Sequence, residues 1–296
     1  MSSIALHRPG AIGDIIMILN CAPKLREQFN KIDLYCHESI VKILKNFCLY
    51  SGIVDNVIDS SLLKRQEYDK VVDCIGYPIK EGYPNVRMKK HLIYYFAEEM
   101  GIDVTLDDVE LNPLPPLKLN KRLYITIQNK TGWSIYKEWW GWQQLIDRLK
   151  DKRPDIGVYQ IGGPNDPKLS NIDGSFTGGS FEDNLAVQTW GRAHLGLDSV
   201  FNHTSNYKWR GIGKKNCVIL FGSTQYDASG YQHNTNISLG LSCQPCFREN
   251  PDVSSVSGGI CPNPPNQTYQ EPKHKCMFDI SVDIVYDALL KKLYEN

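Results

Sequence analysis

Short apolar runs alternate along the chain with longer segments whose apolar positions recur every three or four residues. Alternation of this kind predicts βαβ units feeding a parallel sheet. In the first half, residues 2–7, 32–36 and 70–74 read as strands, and 15–29, 39–49 and 91–100 as helices, the last closed by Gly101 as a C-cap. A second alternation follows, with strands at 123–128, 157–161, 195–197 and 217–221, helices at 139–149 and 184–190, and a closing amphipathic helix at 280–294. Between them residues 112–119 carry Pro113, Pro115 and Pro116, which exclude helix and predict an extended connector. The boundary is placed there, dividing the chain into a first α/β domain, 1–115, and a second, 116–296.

Residues 223–275 break the pattern. They are rich in Ser, Asn, Gly, Pro and Gln, too polar and too long for an ordinary loop unless something else holds them. Three of four clustered cysteines lie in this stretch: Cys243, Cys246 and Cys261, with Cys276 just beyond. Cys243-Gln-Pro-Cys246 and the fourteen-residue gaps that follow resemble the ligand spacing of a structural metal site, a finger over 243–276 that takes Zn or Fe equally well. His274 is an alternative ligand, and four unrelated free thiols are the plainer reading. The other five cysteines, Cys21, Cys36, Cys48, Cys74 and Cys217, sit among apolar neighbours, as buried thiols of a reduced compartment do.

Composition narrows the classes. Hydrophobic residues make up 42% of the 296 and charged residues 22%, enough apolar material for a large core and too much for a disordered chain. Lys and Arg number 33 and balance 33 Asp and Glu, so no overall basic field draws the chain to nucleic acid or to an anionic membrane, and any anion site must be local. The start lacks the apolar core of a secretory signal, and no run approaches the about 18 apolar residues of a membrane span. A cytoplasmic protein is expected, with peripheral membrane contact left open.

Five segments carry candidate chemistry. Strand 2–7 runs into Arg8-Pro-Gly-Ala-Ile-Gly-Asp14 and then a helix, so Gly13 marks a tight turn at a helix N-terminus, a place that binds anions. The G-x-x-G spacing is not the dinucleotide fingerprint. Asp14 reads either as a carboxylate favoured by the helix dipole or as a general base at the carboxyl edge of the sheet. Lys137, between a strand end and a helix start, either faces a bound phosphate or is a solvated lysine. Gly162 and Gly163 follow a strand and permit close approach of a ligand, or simply a turn. Asp198, Ser199 and His203 bring an acid, a hydroxyl and an imidazole to the entry of a helix, where an N-cap is the plainer role. Phe221-Gly-Ser-Thr224 closes the last strand.

In this succession the chain resembles glycosyltransferase family 9, the ADP-heptose heptosyltransferases and their relatives. The resemblance rests on Gly13-Asp14 before a helix reaching Pro23, Lys137-x-Trp139, Ile161-Gly-Gly163, Asp198-Ser199-x-x-x-His203 and Phe221-Gly-Ser-Thr224, in order over nearly the whole chain. It implies a GT-B fold, two Rossmann-like domains facing a cleft. It also implies inverting transfer of a heptose or related sugar from a nucleotide diphosphate, ADP-heptose foremost, to a hydroxyl of a glycan, lipopolysaccharide core or protein. Asp14 would then deprotonate the acceptor, Lys137 would stabilise the departing diphosphate, and Gly13, Gly162, Gly163, Asp198, Ser199 and His203 would bind the donor. No D-x-D triplet is present, so the helix dipole and the lysine are expected to serve without a catalytic metal. Some members hold an iron in a cysteine finger, which matches the 243–276 cluster. Sugar, nucleotide, acceptor, metal and oligomeric state stay open.

Two other functions fit parts of the pattern. A nucleotide-sugar 2-epimerase shares the GT-B fold and needs no acceptor. A metal-finger protein gripping nucleic acid would show clustered cations, yet residues 247–275 carry only Arg248, Lys273 and Lys275 against Glu249, Asp252 and Glu271.

Overall fold

The computed structural model describes residues 2–77, 87–106, 109–132, 137–245 and 274–294. The chain is an α/β protein built on two parallel sheets. In the first, β1 (Ser3–His7), β2 (Lys31–Cys36), β3 (Asn56–Asp59) and β4 (Lys70–Asp73) stand in the order β3-β2-β1-β4. Ile4 lies opposite Ile32 on one side and Lys70 on the other. In the second sheet, the order is β12-β11-β9-β6-β7-β8, from β6 (Tyr124–Ile127), β7 (Gly157–Gln160), β8 (Gly174–Ser175), β9 (Ala193–Leu197), β11 (Cys217–Leu220) and β12 (Thr235–Ile237). A two-stranded parallel ribbon, β5 (Glu110–Leu111) against β10 (Lys208–Trp209), ties the end of the first half to the second.

Helices cover both sheets. The first half has α1 (Ile12–Leu19), α2 (Ala22–Arg26), α3 (Glu38–Ser51) and α4 (Leu92–Met100). The second has α5 (Trp142–Lys152), α6 (Phe181–Trp190), α7 (Val200–Thr204), α8 (Tyr226–Ser229), α9 (Lys275–Phe278) and α10 (Val282–Tyr294). The predicted helix 15–29 is two helices, because Pro23 falls in the first turn of α2 and cannot continue the ladder of α1. Five successive residues of α1, Ile15 to Leu19, are buried, as expected of a helix covered on all sides. One side meets its own sheet and the other meets the second half, where the Tyr207 hydroxyl donates to the Ile16 carbonyl at 3.4 Å and Asn206 reaches Asn20 at 3.2 Å. Phe47 of α3 packs edge-on to Phe181 of α6 at 5.5 Å. One apolar cluster therefore runs from Ile4 through α1 and α3 to Phe181, Tyr207 and Tyr231.

The proline-rich connector lies along the protein, with Leu111 and Leu114 buried and the Leu114 carbonyl taken by the Trp190 indole at 2.7 Å. Part of the polar stretch after 223 is held by ordinary pairing: α8 follows β11, and β12 adds to the sheet with Val218 opposite Thr235. The five dispersed cysteines are buried, and none of them is in a disulfide. Of the clustered four, Cys243 is half-buried and Cys276 buried, while Cys246 and Cys261 lie outside the described residues. Among the described residues no group of three His, Cys, Asp or Glu side chains is placed to hold a metal ion. No described helix is long and apolar enough to cross a membrane.

Candidate functional site

In open parallel sheets, ligands bind beyond the carboxyl ends of the strands where the strand order reverses. The first sheet reverses between β1 and β4, the second between β6 and β9. Asp14 follows β1, Lys137 follows β6, and Asp198 and Ser199 follow β9, so these candidates stand at the two reversal points.

The chain leaves β1 through Ala11, whose φ of 63° lies in the left-handed region that a residue with a Cβ rarely adopts. That turn starts α1 and puts Asp14, 7% exposed, in its first turn. The Arg8 guanidinium pairs with the Asp14 carboxylate and also donates to the carbonyls of Cys74 at 3.2 Å and Ile75 at 3.1 Å, so the segment just after β4 holds the cation in place. The Tyr77 hydroxyl donates to the same carboxylate oxygen at 3.4 Å. Burial raises the Asp14 carboxyl above the ordinary aspartate range, although Arg8, Lys137 and Tyr77 each pull the other way.

Lys137 is not a solvated lysine. It is 9% exposed and donates to the carboxylate of Asp198 at 2.9 Å and to its backbone carbonyl at 3.0 Å. Burial would raise the Asp198 carboxyl, yet the nearby Lys137 and His203, and the hydrogen bond from Lys137, bring it down to about 2. His203 is held neutral, its pKa lowered to about 4 by burial with Lys137 adding to the effect. Its Nδ1 lies 3.1 Å from the Tyr231 hydroxyl. The other edge of the ring closes on Gly13, where an added Cβ would stand 3.1 Å from His203 Cδ2. A side chain at this position would crowd the imidazole, so glycine suits the close approach of α1 to α7.

Ser199 occupies the N-cap position of α7 but makes no cap bond. Its hydroxyl instead donates to Gln128 beyond β6 at 2.6 Å. Gly162, at φ 149°, and Gly163 give their N–H groups to Asn184 at 2.8 Å and Asp166 at 2.9 Å. The fold therefore brings together Gly13, Asp14, Lys137, Asp198 and His203, while the glycine pair is bonded to a different set of side chains. Asp166 is pushed up by burial.

Sequence reasoning passed over Arg8, Tyr77 and Tyr231. Arg8 alone left a local signal, a cation six residues before Asp14 within one turn-forming loop. His91 also escaped it. This imidazole is 5% exposed, caps α4 by accepting from the Ile93 N–H at 3.3 Å, and packs on the Tyr231 ring at 4.9 Å. Burial, with His203 adding, drops its pKa to about 3.

No protein-family model matches the sequence, and no curated protein matches it. Solved structures do. A two-sheet parallel α/β protein with polar groups gathered at both strand-order reversals is the class that the fold and the site define. Within that class it is similar to the bacterial iron-containing dodecameric glycosyltransferase TibC of enterotoxigenic Escherichia coli, with TM-score 0.71, 14% identity, 99% of this chain and 79% of that one. The glycosyltransferase family 9 structure from Veillonella parvula gives 0.69 and 14%, covering 100% and 98%. The E. coli ADP-heptose lipopolysaccharide heptosyltransferase II gives 0.64 and 14%, covering 99% and 98%. At this identity the shared property is the fold.

Proposed function

We propose that the protein is an inverting glycosyltransferase that moves a heptose or related sugar from a nucleotide diphosphate, ADP-heptose foremost, to a hydroxyl of a glycan, lipopolysaccharide core or protein. The observation that carries this reading is the buried Asp14, raised in pKa, facing the Lys137–Asp198–His203 cluster across the junction of two parallel sheets. A carboxylate with a raised pKa is a better proton acceptor near neutrality, which suits a base working on a sugar hydroxyl. The acceptor oxygen attacks the anomeric carbon, its proton passes to Asp14, and the bond to the diphosphate breaks. Lys137 meets the negative charge that gathers on the departing phosphate, with N–H groups at helix starts as further donors. Asp198 holds Lys137 until the diphosphate arrives, and Ser199, His203, Gly13, Gly162 and Gly163 complete the donor site.

In this reading residues 1–115 form the acceptor-side domain and 116–296 the nucleotide-sugar domain of a GT-B fold, with the cleft along the Asp14–Lys137 junction. The finger belongs to the same proposal: Cys243, Cys246, Cys261 and Cys276 would hold one Zn or Fe in a purely structural role. The fit rests on the donor set, soft thiolates with Cys276 already buried at the start of α9. The TibC structure is described as iron-containing. Metal analysis of purified protein should find about one ion per chain, lost in Cys246→Ser.

The function is tested by titrating ADP and ADP-heptose and assaying transfer to a bacterial glycan extract. Asp14→Asn should lose about 10²- to 10⁴-fold in turnover with donor affinity intact, since the amide keeps the shape and cannot take the proton. Full activity in that variant overturns the assigned base, and failure of both nucleotides to bind overturns the function.

A further inference from the structure

The segment that follows β4 supplies Tyr77 and one of the carbonyls that hold Arg8, and it does so after leaving the sheet. Cys74 still pairs its N–H with the His7 carbonyl at 2.9 Å, whereas the Ile75 N–H turns back to the Asp73 carbonyl at 3.0 Å and Ile75 is 45% exposed. From here the Ile75 carbonyl accepts from Arg8 at 3.1 Å, and the Tyr77 hydroxyl reaches Asp14 at 3.4 Å. The Tyr77 ring also lies 5.8 Å from the Arg8 guanidinium. Strand pairing does not fix these groups, so another element must.

Helix α4 does so at Gly76. This buried glycine takes a φ of 72°, and a Cβ on it would stand 2.1 Å from the Phe96 ring, well inside contact distance. The Glu99 carboxylate accepts the Gly76 N–H with both oxygens, at 3.0 and 3.1 Å. Phe96 and Glu99 are three residues apart and share one face of α4. Glu99 stands in the last turn of that helix, where the dipole disfavours a carboxylate. Its neighbour Glu98 is paired with Lys90, while Glu99 is directed at a backbone N–H of the active-site segment. An anion accepting from an N–H makes one of the stronger hydrogen bonds, which suits a tether.

We infer that Glu99 is a positioning residue for Asp14: by accepting from the Gly76 N–H it fixes the Ile75 carbonyl on Arg8 and the Tyr77 hydroxyl on Asp14, and so sets the state of the base; the catalytic meaning of this rests on the transferase reading above. The charged and titratable groups facing Asp14 are Arg8, Lys137 and Tyr77, and those facing Glu99 are Arg8 and Asp73. Arg8 and Tyr77 both lower the Asp14 carboxyl, so releasing the segment should raise it. A bare charge at Glu99 makes the opposite forecast, because removing a nearby anion lowers a carboxyl pKa.

The test is a carboxyl ¹³C NMR titration of the full chain labelled at aspartate, with Asp14→Asn identifying the Asp14 signal and thermal melts confirming that each variant is folded. Glu99→Ala should raise the Asp14 midpoint by about 1 pH unit, and Glu99→Gln, which keeps one accepting oxygen, by less than about half of that. In a chain that already carries Arg8→Gln and Tyr77→Phe, Glu99→Ala should add no further rise. A midpoint that stays or falls in Glu99→Ala overturns the inference, as does an equal rise in Glu99→Gln or a full rise in the Arg8→Gln, Tyr77→Phe background. The titration needs no turnover, and ADP binding is measured alongside it. The expected Asp14 response without any ADP binding would overturn the transferase and leave the tether standing.

Discussion

Two buried ion pairs face each other across the junction of the halves, Arg8 with Asp14 and Lys137 with Asp198, and their carboxyls are driven in opposite directions. Asp198 falls to about 2, whereas Asp14 rises above the ordinary aspartate value. Burial penalises both anions. The difference lies in what opposes it: Asp198 has Lys137 and the nearby His203, while the cation beside Asp14 is shared with two backbone carbonyls. An opposite charge at hydrogen-bonding distance is therefore not enough to say whether a carboxylate is locked or poised. Asp198 is locked as an anion, fit to hold a cation in place. Asp14 is poised, fit to exchange a proton.

Removing a partner from each pair tests this contrast. Lys137→Ala leaves Asp198 a buried, uncompensated anion, so the largest loss of stability is expected there, about 3–5 kcal/mol by denaturant unfolding, together with weaker nucleotide binding. Loss of nucleotide binding without loss of stability would mean that the Lys137–Asp198 pair forms only when ligand is bound. A smaller loss, about 1–3 kcal/mol, is expected for Gly13→Ala, whose Cβ meets His203 at 3.1 Å and must push the ring or the helix aside. A variant as stable as the parent would mean that the halves separate freely at this point.

The pH dependence sharpens the comparison further. Asp198 has a lower pKa folded than unfolded, so its stabilising contribution is complete above about pH 4 and is lost as pH falls toward about 2. Asp14 behaves oppositely: its raised pKa places the acid limb of activity above the ordinary aspartate value. Since Arg8 lowers the Asp14 pKa, Arg8→Gln should move that limb to still higher pH, and an unmoved limb would show that another group titrates. The smallest effect belongs to the exposed Arg87–Asp227 pair. Arg87 and Asp227 are each about half exposed, so Arg87→Ala should cost under about 1 kcal/mol in a thermal melt.

Much of this architecture was legible along the chain. Hydrophobic runs located twelve of the strands and helices to within a few residues, Gly101 does close α4 in the left-handed conformation, and Gly13-Asp14 does open α1. Strand β3 escaped because Asn56-Val-Ile-Asp59 buries only Val57, and an edge strand with one buried position leaves no alternation to read. Strand β12 escaped for a related reason: Thr235–Ile237 is half-buried throughout and embedded in a polar stretch. Its pairing comes from the exposed edge of β11, not from its own composition.

What the sequence determined by itself was local: the periodicity that builds two parallel sheets, the proline that divides α1 from α2, and the residue types that a strand end presents to a ligand. Tertiary structure decided which of those residues act together. Lys137 finds Asp198 from 61 positions away, and His203 finds Gly13 across the two halves. The protonation behaviour of Asp14 and Asp198 was likewise undecidable from residue type, because it depends on burial and on the number of partners each carboxylate meets. Periodicity follows from the geometry of one strand or helix, whereas a pKa follows from everything that the folded chain packs around a charge.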